Sequence, residues 1–178
     1  MKCLIFSDTH GNDRLIYKAL SDHKDAEVVF FLGDGLSDVA GVNFAAFNMT
    51  LVAVKGNCDF SAGRYFNPPP RRVDEIELMG KRIVITHGDG QNAKYGTFGL
   101  EQLCEQMNAD ILLFGHTHQR HEQYVDVEEK YRNIAEYKDK IAEMKNYYLF
   151  NPGSASGCDA SYGIMTVTES AILFSFGK

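Results

Sequence analysis

The 178-residue chain has few cysteines, and none at C-x-x-C spacing: Cys3, Cys58, Cys104 and Cys158 are scattered. That leaves no thiolate cluster for structural zinc and points to a reduced, cytoplasmic protein. Cys3 and Cys104 stand among apolar residues and read as core thiols. No apolar run approaches the ~18 residues of a membrane span, and Met1-Lys2-Cys3 enters an apolar stretch without a signal-peptide pattern. Basic charge is also short. Lys and Arg number 18 against 24 Asp and Glu, a net charge of −6, which weighs against nucleic acid as a partner. Internal repeats and low-complexity segments are missing too. What is present is a 44% hydrophobic chain, long enough to bury a real core and of a length that fits one domain, 1–178.

The apolar runs are short and alternate with helical patterns. Leu4 to Phe6 reads as a buried strand, and Asp13 to about His23 as a helix with Leu15, Ile16, Ala19 and Leu20 on one face. Glu27 to Leu32 is a second strand, residues 36–47 are weakly helical, and Leu51 to Val54 is a third strand. This alternation argues for parallel βαβ units. A loop over 60–70 leads to a hairpin, Arg72 to Leu78 and Lys81 to Thr86. A helix over 97–108 and a strand from Ile111 to Phe114 follow, then strands at about 120–126 and 147–150 and a last hairpin at 163–176. Between them, 127–146 is highly charged. Tyr131, Ile134, Ala135, Lys138, Ile141 and Met144 fall at spacings of three or four, which predicts an amphipathic helix. It reads either as a surface helix packed on the domain or as a partner or homo-oligomer contact.

Five apolar strands end in polar residues: Asp8 and His10; Asp34; Asn57, Cys58 and Asp59; His87; His116 and His118. In open α/β sheets ligands bind outside the carboxyl ends of strands. Each residue has an ordinary explanation alone, since a strand-end Asp often caps a turn. Five such endings together are hard to produce from packing needs. Four of the six histidines fall at these positions, and His23 and His121, which do not, are assigned to the surface. Seven candidate ligands, Asp8, His10, Asp34, Asn57, His87, His116 and His118, exceed what one ion needs, so two ions sharing a carboxylate fit better. Mixed carboxylate, amide and imidazole donors suit Mn²⁺, Fe or Zn²⁺ better than Ca²⁺. Two cations ~3.5–4 Å apart acidify a shared water and hold a phosphoryl oxygen; the resulting hydroxide attacks phosphorus in line, while the cations neutralise the equatorial oxygens.

These motifs, Asp8-x-His10, Gly33-Asp34, Gly56-Asn57-Cys58-Asp59, Thr86-His87-Gly88 and Gly115-His116-Thr117-His118, resemble those of the calcineurin-like metallophosphoesterase superfamily, in particular its small YfcE-like phosphodiesterase branch. The resemblance spans residues 1 to about 126 and resumes at Asn151-Pro152-Gly153-Ser154. It implies an α/β fold, a four-layer αββα sandwich of two mixed sheets flanked by helices. It implies that Asp8, His10 and His118 hold one divalent metal, that Asn57, His87 and His116 hold the other, and that Asp34 bridges them. Manganese is the first expectation, with nickel, zinc or iron as alternatives. The implied activity is hydrolysis of a small phosphodiester, with Asp34, Asn57, Cys58 and Asp59 as the catalytic set.

Two departures matter. Phosphomonoesterases of the superfamily usually carry His after the Asn, to protonate the leaving group, where this chain has Cys58. A thiol is a poorer proton donor than imidazolium, which favours a diester or an activated leaving group over a monoester. Cys58 as nucleophile is disfavoured, since the hydroxide already fills that role. Asp59 either orients a neighbour or closes a turn. The second departure is the insertion at 127–146, which could cap the site, mediate assembly or do neither. The rival reading is a non-catalytic metal-binding, protein-interaction scaffold of the same fold, like the retromer subunit that resembles this family. Such scaffolds tend to lose ligands, and this chain keeps all seven. A nuclease or phosphoprotein phosphatase fits the acidic charge and Cys58 less well. Substrate choice lies in the loops at 60–70, 89–97 and 155–161, and Arg64 and Arg72 read as surface charges.

Overall fold

Buried strands whose residues alternate between two apolar environments build this fold. The computed structural model describes residues 1–61 and 64–178; the expected loop at 60–70 falls partly on positions 62–63, outside the described residues. The first sheet contains β1 (Lys2–Phe6), β2 (Val28–Phe31), β3 (Thr50–Ala53), β9 (Tyr162–Val167) and β10 (Ile172–Gly177), in the order β10-β9-β1-β2-β3. Strands β1, β2 and β3 run parallel, and the β9–β10 hairpin joins antiparallel to β1. The second sheet contains β4 (Val73–Leu78), β5 (Lys81–Thr86), β6 (Ile111–Leu113), β7 (Arg120–Val125) and β8 (Tyr147–Pro152), in the order β4-β5-β6-β8-β7. Here β5, β6 and β8 are parallel.

Successive residues of a strand point to opposite faces, and both faces of these sheets are covered. Leu4 and Phe6 of β1 pack with Val29 and Phe31 of β2 against Ile16, Ala19 and Leu20 of helix α1 (Arg14–Asp22). Their neighbours Cys3, Ile5, Val28 and Phe30 turn the other way and meet Ile83, Ile85, Ile111, Leu113 and Phe150 of the second sheet. Val84, Leu112 and Leu149 face outward onto Leu100 and Cys104 of helix α3 (Phe98–Gln106). The result is the four-layer αββα sandwich. Near-continuous apolar strands were the sequence sign of it, because sheets covered on both sides need no polar face. The weakly helical stretch at 36–47 divides into helix α2 (Leu36–Ala40) and a 3₁₀ turn at Phe44–Phe47.

The insertion differs from expectation. Only Val127–Tyr131 forms an α-helix, α4, and two 3₁₀ turns, Ala135–Tyr137 and Ile141–Glu143, follow it. The sheet explains why. Val125 at the end of β7 pairs with Tyr147 at the start of β8, so the insertion leaves and returns at adjacent points. A continuous 20-residue helix would carry the chain about 30 Å away. Asp126 caps α4 by accepting from the Glu129 N–H at 3.0 Å. Lys130 Nζ then lies between Glu101 Oε2 at 2.6 Å and Glu105 Oε1 at 2.7 Å, and the Tyr131 and Tyr147 hydroxyls donate to Glu105. Partly buried charges paired on several sides in this way anchor the insertion to α3. No helix among the described residues is long and apolar enough to cross a membrane.

Candidate metal centre

Strands β1, β2 and β3 run parallel in the first sheet and β5 and β6 run parallel in the second, so the carboxyl ends that carry the candidate ligands collect on one edge. The two sheets are locked together there: the Ala155 N–H donates to the Ser7 carbonyl at 2.8 Å, and Ser154 Oγ donates to the Asp8 carbonyl at 2.8 Å. Within the second sheet, Asn151 Nδ2 donates to the Gly115 carbonyl at 2.8 Å.

The backbone at this edge is unusual. Asp8 (φ 56°), His10 (46°), Asp34 (56°), His116 (67°) and His118 (60°) all adopt left-handed conformations. Such a conformation costs a non-glycine residue roughly 1–2 kcal/mol, and strain of this kind gathers at functional sites. Backbone bonds hold it in place: Asp8 N–H to the Gly33 carbonyl at 3.0 Å, and His10 N–H to the Asp34 carbonyl at 3.3 Å. Glycine is required beside these turns. Gly33 has φ 98°, and a Cβ there would stand 2.8 Å from the Gly56 Cα. A Cβ on Gly115 would collide with the Ser7 side chain.

The side chains fall into two adjoining groups. Asp8, His10 and His118 each offer a ligand atom, all within 4.8 Å of one another. His118 Nε2 lies 3.2 Å from Asp8 Oδ1 and 3.3 Å from His10 Nε2. Asp34, His87 and His116 make the second group, with His87 Nε2 3.3 Å from Asp34 Oδ2 and 3.2 Å from His116 Nδ1. Asp34 also lies within reach of His10 and Cys58. Asp8 Oδ1 and Asn57 Oδ1 are buried and accept no hydrogen bond among the described residues. A buried carboxylate oxygen without a donor is costly, and a cation is the chemistry that compensates it. Facing imidazole nitrogens with unpartnered oxygens therefore fit divalent transition-metal ions.

Hydrogen bonds around these groups set their orientation. His87 Nδ1 lies 2.8 Å from the Leu32 carbonyl, which can only accept, so the proton sits on Nδ1 and Nε2 is left for the site. Asp8 Oδ2 accepts from Ser7 Oγ at 2.6 Å and from the His116 N–H at 3.0 Å, which leaves Oδ1 for the site. Burial alone would raise the Asp34 carboxyl, but the neighbouring His87 imidazole and the bond from the Cys58 N–H hold it well below the usual carboxylate range. Burial opposes charge on His87, yet Asp34 and Asp8 overcome this and push its imidazole up. Burial, His87 and Lys94 push His116 down.

Asp59 does not reach into either ligand group. Its carboxylate accepts four backbone N–H groups, from Asp34 and Gly56 at 2.8 Å and from Gly35 and Leu36 at 2.9 Å. Both roles open for it in the sequence are present in these bonds: the Gly56 contact closes its own turn, and the other three hold the Asp34–Leu36 turn. Asp38, which the sequence did not single out, does the same for the first turn: Oδ2 accepts from Thr9 Oγ1 at 2.6 Å and from the Gly11 N–H at 2.8 Å. No spacing rule connects position 38 to position 9, so only the fold could show it. Cys58 is exposed, and its Sγ accepts from Asn57 Nδ2 at 3.2 Å. A hydrogen bond to Asp34, then burial and the Asp34 charge, push its thiol up to about 11. Neither histidine assigned to the surface is fully exposed. His23 Nε2 contacts the Tyr162 hydroxyl at 2.9 Å, and His121 stands edge-on to Phe114.

Residues 1–170 match the calcineurin-like phosphoesterase superfamily domain. The chain belongs to this superfamily. The phosphodiesterase YfcE of Escherichia coli K12 is 30% identical over 186 residues, covering 93% of this chain and 87% of that protein. The probable metallophosphoesterase YsnB of Bacillus subtilis is 32% identical over 120 residues, 66% of this chain. The chain spans 64% of the length of that relative. Vps29 of Entamoeba histolytica, solved as a complex with Zn²⁺, has the same fold, with a TM-score of 0.66 at 18% identity over 99% of this chain and 98% of that one.

Proposed function

We propose that this superfamily member is a phosphodiesterase that works with two divalent metal ions, manganese foremost, in a single domain. The observation that carries the reading is the pair of ligand groups with Asp34 in reach of both, together with the orphaned Asp8 and Asn57 oxygens. Asp8, His10 and His118 would hold one ion, Asn57, His87 and His116 the other, and Asp34 would bridge. Such ions, when bound, acidify water and neutralise charge on a phosphoryl group.

The chain's own groups do the rest. Asp34 stays anionic across the neutral range, since its carboxyl is held low. Leu32 keeps the His87 proton away from the site. Asp59 and Asp38 fix the backbone that carries Asp34, Asp8 and His10. The Cys58 thiol, pushed up to about 11, remains protonated at neutral pH and is no nucleophile. It is also a weak proton donor, so a leaving group that needs no protonation, as in an activated diester, is the better substrate.

Two results are expected. Protein stripped with chelator should lose hydrolysis of bis(p-nitrophenyl) phosphate and regain it with Mn²⁺, at two ions per chain by elemental analysis. A folded protein inert with Mn²⁺, Ni²⁺, Zn²⁺ and Mg²⁺ alike would instead indicate a scaffold of the same fold. Cys58→His should raise kcat/KM for an alkyl monoester with a poor leaving group, such as glycerol 2-phosphate, by roughly 10²-fold, because it supplies an imidazolium at the leaving-group position. An unchanged ratio of monoester to diester turnover would remove Cys58 from the account of specificity.

A further inference from the structure

Arg72 stands beside the strand ends that carry the metal centre. Val73 pairs with Thr86 as the last pair of the antiparallel β4–β5 ladder. Just before it, the Arg71 carbonyl accepts from the Lys55 N–H at 2.8 Å, which ties this segment to the end of β3 that carries Asn57. Thr86 Oγ1 donates to the Arg72 carbonyl at 3.1 Å and pins the backbone there. The guanidinium is held as well: Nη1 donates to Asp89 Oδ2 at 2.6 Å. Asp89 itself follows His87 by two residues.

That contact uses one of the five guanidinium N–H groups. The Arg72 side chain is 56% exposed, so the rest of the fork is open to solvent. A surface ion pair such as Arg72–Asp89 adds at most about 1 kcal/mol of stability, so folding energetics give little reason for it. In a chain of net charge −6, a guanidinium held beside a site for anions has a more direct use.

We infer that Arg72, oriented by Asp89, forms an anion subsite next to the metal centre that selects phosphoesters carrying a second anionic group. This rests on the phosphoesterase reading of the centre and adds a substrate class to it. The metal ligands would take the scissile phosphoryl group. The Arg72 fork would take a phosphate or carboxylate elsewhere on the same molecule, a contact for which a planar, always-charged donor is suited.

Calorimetry in Mn²⁺ tests this without turnover, by comparing thymidine 5′-monophosphate with thymidine 3′,5′-bisphosphate. The wild-type protein should bind the bisphosphate about tenfold or more tightly, the scale of one charge-assisted contact. Arg72→Gln should reduce that advantage to under about threefold, and Arg72→Lys should restore part of it. Equal affinities in the wild type, or an advantage that survives Arg72→Gln, would overturn the subsite. Turnover of bis(p-nitrophenyl) phosphate is followed on the same samples. The affinity difference without any diester hydrolysis would support the subsite and overturn the phosphodiesterase reading alone.

Discussion

Asp34→Asn should lower kcat on a diester by about a thousandfold or more, with a melting temperature close to that of the wild type. The two halves of this expectation have separate causes. In the folded chain Asp34 Oδ1 accepts from the Cys58 N–H at 2.7 Å, and Oδ2 faces His87 Nε2 at 3.3 Å. An Asn amide meets both demands: its oxygen accepts from Cys58, and its NH₂ donates to His87 Nε2, which has a free lone pair because the proton sits on Nδ1. The local hydrogen bonds therefore survive. The negative charge does not, and a neutral amide cannot bridge two cations as a carboxylate does. A loss of about 4 kcal/mol in transition-state stabilisation corresponds to the thousandfold drop. The checks are steady-state kinetics, metal content and a thermal melt on one preparation. Full activity, or full activity with two ions still bound, would sink the two-metal mechanism.

Asp59→Ala should act in the opposite way, on the fold first. One carboxylate satisfies four backbone N–H groups, two of them from Asp34 and Gly56 at the ends of β2 and β3. Each donor left without a partner costs roughly 1–3 kcal/mol, less where water can reach it. The total expected is about 3–5 kcal/mol, or a fall of roughly 10 °C in Tm for a chain of this size. With the turns loosened, Asp34 and Asn57 lose their orientation, and Mn²⁺ affinity should fall a further 10–100-fold, the usual scale for groups that orient ligands. Asp59→Asn should fall between, since its NH₂ group would confront two N–H donors. Denaturant midpoints and a Mn²⁺ titration decide the matter. A loss of less than about 0.5 kcal/mol in the alanine variant would show that water replaces the carboxylate and that Asp59 only closes a turn.

The two variants separate charge from scaffolding, and the contrast bears on the wider family likeness. At 18% identity Vps29 shares the architecture, and what a chain does with that architecture depends on the side chains at its strand ends. Here all seven candidate ligands sit at one edge, at the carboxyl ends of β1, β2, β3, β5 and β6 or just beyond them. Substitutions there test chemistry, whereas substitutions at Asp59 or Asp38 test the frame that presents it.

Much of this was legible in the chain itself. Short apolar runs such as Leu4 to Phe6 and Ile111 to Leu113 determined buried strands, because hydrophobic runs bounded by turn residues have few other stable uses. Their polar endings determined which residues could be ligands, since position along a strand fixes position at a sheet edge. What only the tertiary structure decided depends on relations between segments distant in sequence. The left-handed backbone at Asp8, Asp34 and His116 is held by bonds to other segments: Asp8 N–H to the Gly33 carbonyl, Asp34 N–H to Asp59 and His116 N–H to Asp8. Asp59 and Asp38 find their partners across turns 20 to 30 residues away. The helix expected at 127–146 breaks because Val125 and Tyr147 are paired neighbours, a constraint that no local periodicity contains. Arg72 reads as a surface charge until the Thr86 hydroxyl and the Asp89 carboxylate fix it beside the end of β5. Local pattern is written in nearest neighbours; register and sheet apposition are long-range, and they settled how the parts of this site meet.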